Sequence, residues 1–114
     1  LLSSSELDQK FVDQLNAIME KQMSNPDFSV EEFATSVKMG RTVFFRKMKG
    51  VTGYSPNEFM RIYRMKKAIE LLQDGTYNIS EITYKIGMKD PHYFSRCFKE
   101  QFGVPPSSYQ KGSK

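Results

Sequence analysis

The chain has one histidine and one cysteine, His92 and Cys97. A thiol beside an imidazole is a common start for nucleophilic catalysis. Here the two lie five positions apart in a stretch with helical periodicity. At ~100° per residue that spacing sets them ~140° apart around the helix, on different sides. No second ligand at metal-binding spacing accompanies either one, so no catalytic residue, no metal site and no cofactor is expected. Cys97 reads as a small core residue, and a lone cysteine excludes an internal disulfide and fits a reducing compartment. The chemistry lies in the cations instead. Lys38 to Lys67 holds nine basic residues and one acidic, whereas Leu1 to Val37 holds two basic and seven acidic. The whole chain carries only +4. A block of +8 within thirty residues points to an anionic partner, although a solvated basic surface has the same composition.

These cations must be positioned by helices. The longest candidate is Pro56 to Gln73. Ser55 is a suitable N-cap, Pro56 takes the first helical position, Glu58 completes a capping box, and Gly75 lies just beyond the end. Its apolar residues do not keep to one face. Phe59, Met60, Ile62 and Tyr63 cluster on one side, and Met65, Ala68, Ile69 and Leu72 on roughly the opposite side. A stripe that changes face halfway along should pack against a different body at each end. A single wide buried face is the simpler alternative, and Leu71, between the clusters, blurs the distinction.

The flanks of this helix resemble each other. With a shift of 49, Val30, Phe33, Val37 and Met39 align with Ile79, Ile82, Ile86 and Met88. With a shift of 50, Phe44, Arg46, Met48, Gly53 and Pro56 align with Phe94, Arg96, Phe98, Gly103 and Pro106. The second copy therefore has one extra residue in the turn after its methionine. Matching apolar, glycine and proline positions over about thirty residues imply two units of one small fold.

Each unit reads as a short helix, a tight turn and a second helix. Ser29 and Glu32 form a capping box, Val30, Phe33, Ala34 and Val37 face inward, and residues 38–41 turn. A helix follows from Arg41 to about Lys49, with Phe44, Met48 and Val51 inward and Thr42, Phe45, Arg46 and Lys49 outward. In the second unit Asn78 and Glu81 can cap, Ile79, Ile82, Thr83 and Ile86 face inward, and Asp90-Pro91 starts the next helix. Phe94, Cys97 and Phe98 point inward there, while His92, Ser95, Arg96 and Lys99 point outward. Pro105-Pro106 opens a last short helix anchored by Tyr109. Before both units, Ser5 to Met23 reads as an amphipathic support helix with Leu7, Phe11, Leu15, Ile18 and Met19 as its stripe.

A helix braced behind a second helix with a basic outer face is the helix-turn-helix pattern, and a helix of this width fits the major groove of B-DNA. The expected fold is all-α: two helix-turn-helix subdomains joined by a long central helix, about seven helices. Residues 1–5 read as a linker or an appended scar, 6–55 as the first unit with its support helix, 56–73 as the linking helix, 77–109 as the second unit and 110–114 as a frayed tail. The 114 residues suit one domain or two small ones sharing a helix. No apolar run approaches the ~20 residues of a membrane span, and no cleavable signal pattern opens the chain. The absence of a starting Met suggests a fragment of a longer protein.

The segment IGMKDPHYFSRCFKEQFGVPPSSY, Ile86 to Tyr109, resembles the signature of AraC/XylS-family transcription regulators, and RTVFFRKMKGVTGYSPNEF in the first copy is similar to it. The resemblance covers about Ser29 to Tyr109. Two departures are small: Gly40 stands where the family usually has a serine N-cap, and Met48 replaces the usual phenylalanine. The first helix further resembles the output domain of hybrid two-component regulators from gut Bacteroidetes, in which a periplasmic sensor, a histidine kinase and a receiver precede it on one chain.

The resemblance implies two recognition helices in neighbouring major grooves of one face of double-stranded DNA. Carried over by position, Thr42, Phe45 and Arg46 become base-contacting residues of the first unit, and Pro91, His92, Ser95 and Arg96 those of the second. Arg46 and Arg96 can each bond O6 and N7 of a guanine, and Phe45 can meet a thymine methyl or pack at the core edge. Arg41, Lys47, Lys49, Arg64, Lys66, Lys67, Lys89 and Lys99 read as phosphate contacts, with surface ion pairing or plain solubility as the alternative. Neutralising ~5–8 phosphates would give a log–log salt slope of roughly −4 to −7.

The function expected is sequence-specific DNA binding in transcription regulation. The isolated domain is expected to be monomeric and cytoplasmic, without direct membrane contact. The full-length protein is expected to be a homodimer reaching RNA polymerase, with kinase activity elsewhere in the chain and an inner-membrane anchor. Alternatives are non-specific nucleic-acid binding and a helical protein-interaction module. The resemblance implies activation as the family tendency.

Overall fold

A computed structural model describes residues 4–110. Among these there are six α-helices and one 3-10 helix: α1 (Ser4–Gln22), α2 (Val30–Ser36), α3 (Arg41–Thr52), α4 (Pro56–Asp74), α5 (Ile79–Lys85), α6 (Pro91–Phe102) and the closing 3-10 helix (Pro106–Tyr109). No strand occurs among the described residues, in agreement with the all-α expectation. The helix α1 already includes Ser4 and Ser5, part of the stretch read as a linker. The rest of that stretch, and the tail beyond Gln110, lie outside the described residues.

Local chemistry explains the boundaries. Ser29 Oγ accepts from the Glu32 N–H while Glu32 Oε1 accepts from the Ser29 N–H, each at 3.1 Å. Asn78 and Glu81 repeat the exchange at 2.8 and 2.9 Å, and Ser55 and Glu58 make it at 3.2 and 2.9 Å. Such reciprocal caps satisfy two otherwise orphaned donors at a helix start. Gly53 and Gly103 close α3 and α6 in the left-handed conformation. The helix α3 runs three residues past the expected Lys49, and its last turn closes where the Gly53 N–H donates to the Lys49 carbonyl at 3.0 Å.

The chain divides into two compact units. The first takes residues through Gln22 and Phe28–Met60. Its core is Phe11, Leu15, Met19, Phe28, Phe33, Ala34, Val37, Phe44, Met48 and Met60, all buried. Phe33 is the hub, with ring centroids 5.6 Å from Phe28, 5.1 Å from Phe44 and 6.3 Å from Phe59. Each fully buried phenylalanine of this kind contributes ~1.5–3 kcal/mol, with ~0.5–1.5 more per well-placed ring pair. Leu7 is 53% exposed, so the buried stripe of α1 is one turn shorter than its periodicity suggests.

The second unit takes Met23–Asp27 and the chain from Arg61. Its core is Met65, Ala68, Leu72, Ile82, Ile86, Phe94, Cys97 and Phe98, with Met23, Ile69, Leu71, Tyr77, Ile79, Met88, Phe102 and Tyr109 packed against it. Here Phe98 is the hub, with Phe94 at 5.9 Å, Phe102 at 4.7 Å and Tyr109 at 5.6 Å. Thr83 is fully buried, and its hydroxyl donates to the Ile79 carbonyl at 2.8 Å. The unit boundary falls within α4, between Met60 and Arg61. Met60 is buried in the first unit and Met65, Ala68 and Leu72 in the second, as the change of face along α4 requires.

Candidate nucleic-acid interface

In the first unit α2 lies behind α3, and the turn between them ends at Gly40, the N-cap of α3. Because Phe44 and Met48 are held in the core, the other side of α3 is forced outward. Arg41, Thr42, Phe45, Arg46 and Lys49 line one open depression along that side. All five are exposed, Phe45 at 49%. Phe45 therefore leaves about half of its surface outward. Val43, 57% exposed, was not singled out by the sequence reading.

In the second unit Asp90 caps α6, its Oδ1 accepting from the His92 N–H at 2.9 Å, with Pro91 at the first helical position. Phe94, Cys97 and Phe98 are buried, so the opposite side of α6 faces out. His92 and Arg96 are exposed, and Pro91 and Ser95 are half-buried. The sequence reading missed Tyr93, which is 44% exposed at the position equivalent to Val43. The Arg96 guanidinium sits 5.5 Å from the centre of its ring. The Tyr93 hydroxyl meets the Cys97 thiol and Arg61; the thiol contact pushes the phenol above its ordinary pKa, against the pull of the nearby guanidinium. The i,i+3 spacing of Tyr93 and Arg96 was a signal that could have found this pair.

The cations assigned to phosphates are placed unequally. Arg41 Nη1 is 3.4 Å from Glu31 Oε1, Lys89 Nζ is 2.9 Å from Asp27 Oδ1, and Lys67 Nζ is 3.6 Å from Glu70 Oε2. Lys47 Nζ lies 4.5 Å from the centre of the Phe11 ring. The exposed pairs of Arg41 and Lys89 are worth little, so these two cations can exchange a carboxylate for a phosphate at small cost. Lys49, Lys66 and Lys99 are exposed. Arg64 differs from the rest: its Nε donates to the Met23 carbonyl at 3.3 Å and its Nη2 to the Asn25 carbonyl at 3.1 Å. Burial lowers its pKa from the ordinary arginine value.

Two braced helices, each offering an arginine and small polar side chains on its free side, make a surface suited to base edges and phosphates. A family model for the helix-turn-helix domain matches residues 33–112. The chain is an AraC-type helix-turn-helix domain. Over 109 residues this AraC-type domain is 38% identical to histidine kinase P4 of Formosa agariphila, a match covering 96% of this chain and 8% of the kinase. The C-terminal domain of AraT, a response regulator from Geobacillus stearothermophilus, has a TM-score of 0.79 at 31% identity, covering 88% of this chain and 83% of that one. The DNA-binding domain of AdpA, solved in complex with a target DNA, has a TM-score of 0.78 at 26% identity, covering 85% and 86%. The AraC-type domain spans well under half the length of the curated relatives it matches. Among the described residues no helix is long and apolar enough to cross a membrane.

Proposed function

We propose that this domain is the DNA-reading output module of a longer, signal-responsive regulator. Its own function is sequence-specific DNA binding in the regulation of transcription. The observation that carries the finer reading is the pairing of equivalent outward positions on α3 and α6, with Arg46 on one and Arg96 on the other. Thr42, Phe45 and Arg46 read bases for the first unit, and Pro91, His92, Ser95 and Arg96 for the second. Arg41, Lys47, Lys49, Lys66, Lys67, Lys89 and Lys99 hold phosphates. The two helices enter successive major grooves of one duplex. Because TVFFRKMK and HYFSRCFK differ, the two segments they read differ too, and a site for one monomer is not a palindrome.

A relative named as a histidine kinase and a structural neighbour that is a response regulator's C-terminal domain support a place at the end of a phosphorelay. In that reading kinase activity, homodimerisation, contact with RNA polymerase and an inner-membrane anchor belong to the rest of the full-length protein. This domain works on the cytoplasmic side as an activator.

The test is binding of the isolated domain to duplexes selected from a random library, compared with random duplex at fixed salt. Strong preference for the selected site, a log–log salt slope of roughly −4 to −7, and loss of most specific affinity when five base pairs are inserted between the half-segments are expected. Equal affinity for random duplex would make the domain a general nucleic-acid binder. A slope shallower than about −2 would leave the phosphate assignment without support.

A further inference from the structure

Residues 23–27 follow α1 in sequence, yet they belong to the second unit. The Met23 side chain packs on that unit's core. The Met23 carbonyl takes a bond from Arg64 Nε at 3.3 Å, and the Asn25 carbonyl takes one from Arg64 Nη2 at 3.1 Å. The strap is stiffened by its own turn, the Asp27 N–H donating to Asn25 Oδ1 at 2.9 Å. At its far end Asp27 meets Lys89 in an exposed pair at 2.9 Å, which adds little to the strap's hold. The Met23 carbonyl also occupies the place that a Cβ on Gly87 would take, and Gly87 sits at φ +80. Gly87 opens the turn that ends at Asp90, the cap of α6. Pro26 and Arg64 thus share one depression with Gly87, Lys89, Tyr93 and Arg96.

We infer that Arg64 is a positioning residue for the second recognition helix, acting through the strap of residues 23–27, and not one of the phosphate-binding cations. This rests on the reading of α6 as a base-reading helix. An arginine can bond two carbonyls of one strap at once because its guanidinium is a rigid fork, whereas a lysine offers a point charge on a flexible stem. The charge alone, which is all a phosphate contact needs, is kept in R64K. The fork, which the strap needs, is lost.

The experiment measures the selected duplex and two variants of it, one altered in the half read by α3 and one in the half read by α6, across a salt series. For R64K, discrimination at the α6 half falls by about fivefold or more while discrimination at the α3 half is unchanged. For R64A, the same half-site loss appears with the salt slope unaltered. Circular dichroism establishes that each variant is folded. If R64K binds like the parent and R64A lowers the slope by ~1, Arg64 is a phosphate contact and the inference is overturned. Loss of folding in R64K would make the residue purely structural and overturn it as well. R96A on the same duplexes separates the two readings: if it leaves the α6 half unaffected, α6 itself is not the reader.

Discussion

The turns that lead into α3 and α6 do the same job with different chemistry. At the matching left-handed position the first unit has Lys38, at φ 59, and the second has Gly87, at φ 80. Lys38 is exposed, so its side chain has somewhere to go. Gly87 is buried under the Met23 carbonyl and can carry none. Two residues on, the first unit starts its recognition helix from Gly40, with no side-chain cap bond. The second starts from Asp90, which caps the His92 N–H, followed by Pro91. The extra residue of the second turn is Lys89, tied to Asp27. The aromatic hub moves as well, from Phe33 on the bracing helix α2 to Phe98 on the recognition helix α6. A shared backbone path therefore leaves the first recognition helix loosely started and the second one locked at cap, turn and core.

The largest way to break this contrast is at the left-handed position. Gly87→Ala places a Cβ on a backbone carbonyl in a conformation L residues disfavour, and should cost the second unit about 3 kcal/mol or more. Lys38→Gly, its counterpart, should change the first unit by less than ~1 kcal/mol, since relieved strain of ~1–2 kcal/mol is offset by the ~0.5–1 kcal/mol entropy of glycine. Urea unfolding followed by helicity checks both, and equal effects would end the distinction.

Next in size are the two equivalent arginines. Arg46→Ala and Arg96→Ala should each cost ~1–3 kcal/mol on the preferred duplex and relax preference at one base pair, in different halves of the site. Lys67→Ala should instead weaken all sequences alike and lower the salt slope by ~1. If Arg46→Ala reduces specific and random binding equally, the base contact is wrongly assigned.

Smaller effects test the caps. Asp90→Ala should destabilise the second unit by ~1 kcal/mol. Gly40→Ser should gain the first unit only a few tenths of a kcal/mol, because glycine is itself a tolerable N-cap. Space is not the obstacle, since a Cβ at Gly40 would meet nothing within 4 Å. Thermal melts at fixed pH compare the two, and a loss on Gly40→Ser would show that the loose start is maintained by something other than the missing cap.

Helix starts, helix ends and the inward side of each helix depend on residues within three or four positions of one another, so the sequence by itself determined them. Ser29 with Glu32, Asn78 with Glu81 and Asp90 with Pro91 announce their helices locally, and Phe44 and Phe94 announce which side of α3 and α6 is buried. The outward positions of Thr42, Phe45, Arg46, His92 and Arg96 follow from that. What a side chain does when its partner lies far along the chain was decided only by tertiary structure. Arg64 reads as one more cation of a basic run until Met23 and Asn25, 41 and 39 positions away, come to lie against it. Lys89 meets Asp27 across 62 positions, and Gly87 needs to be glycine because of a carbonyl that no local pattern could place beside it. Local periodicity records which side of a helix is apolar. It carries no record of which distant backbone will need a donor, because that demand exists only once the chain has packed.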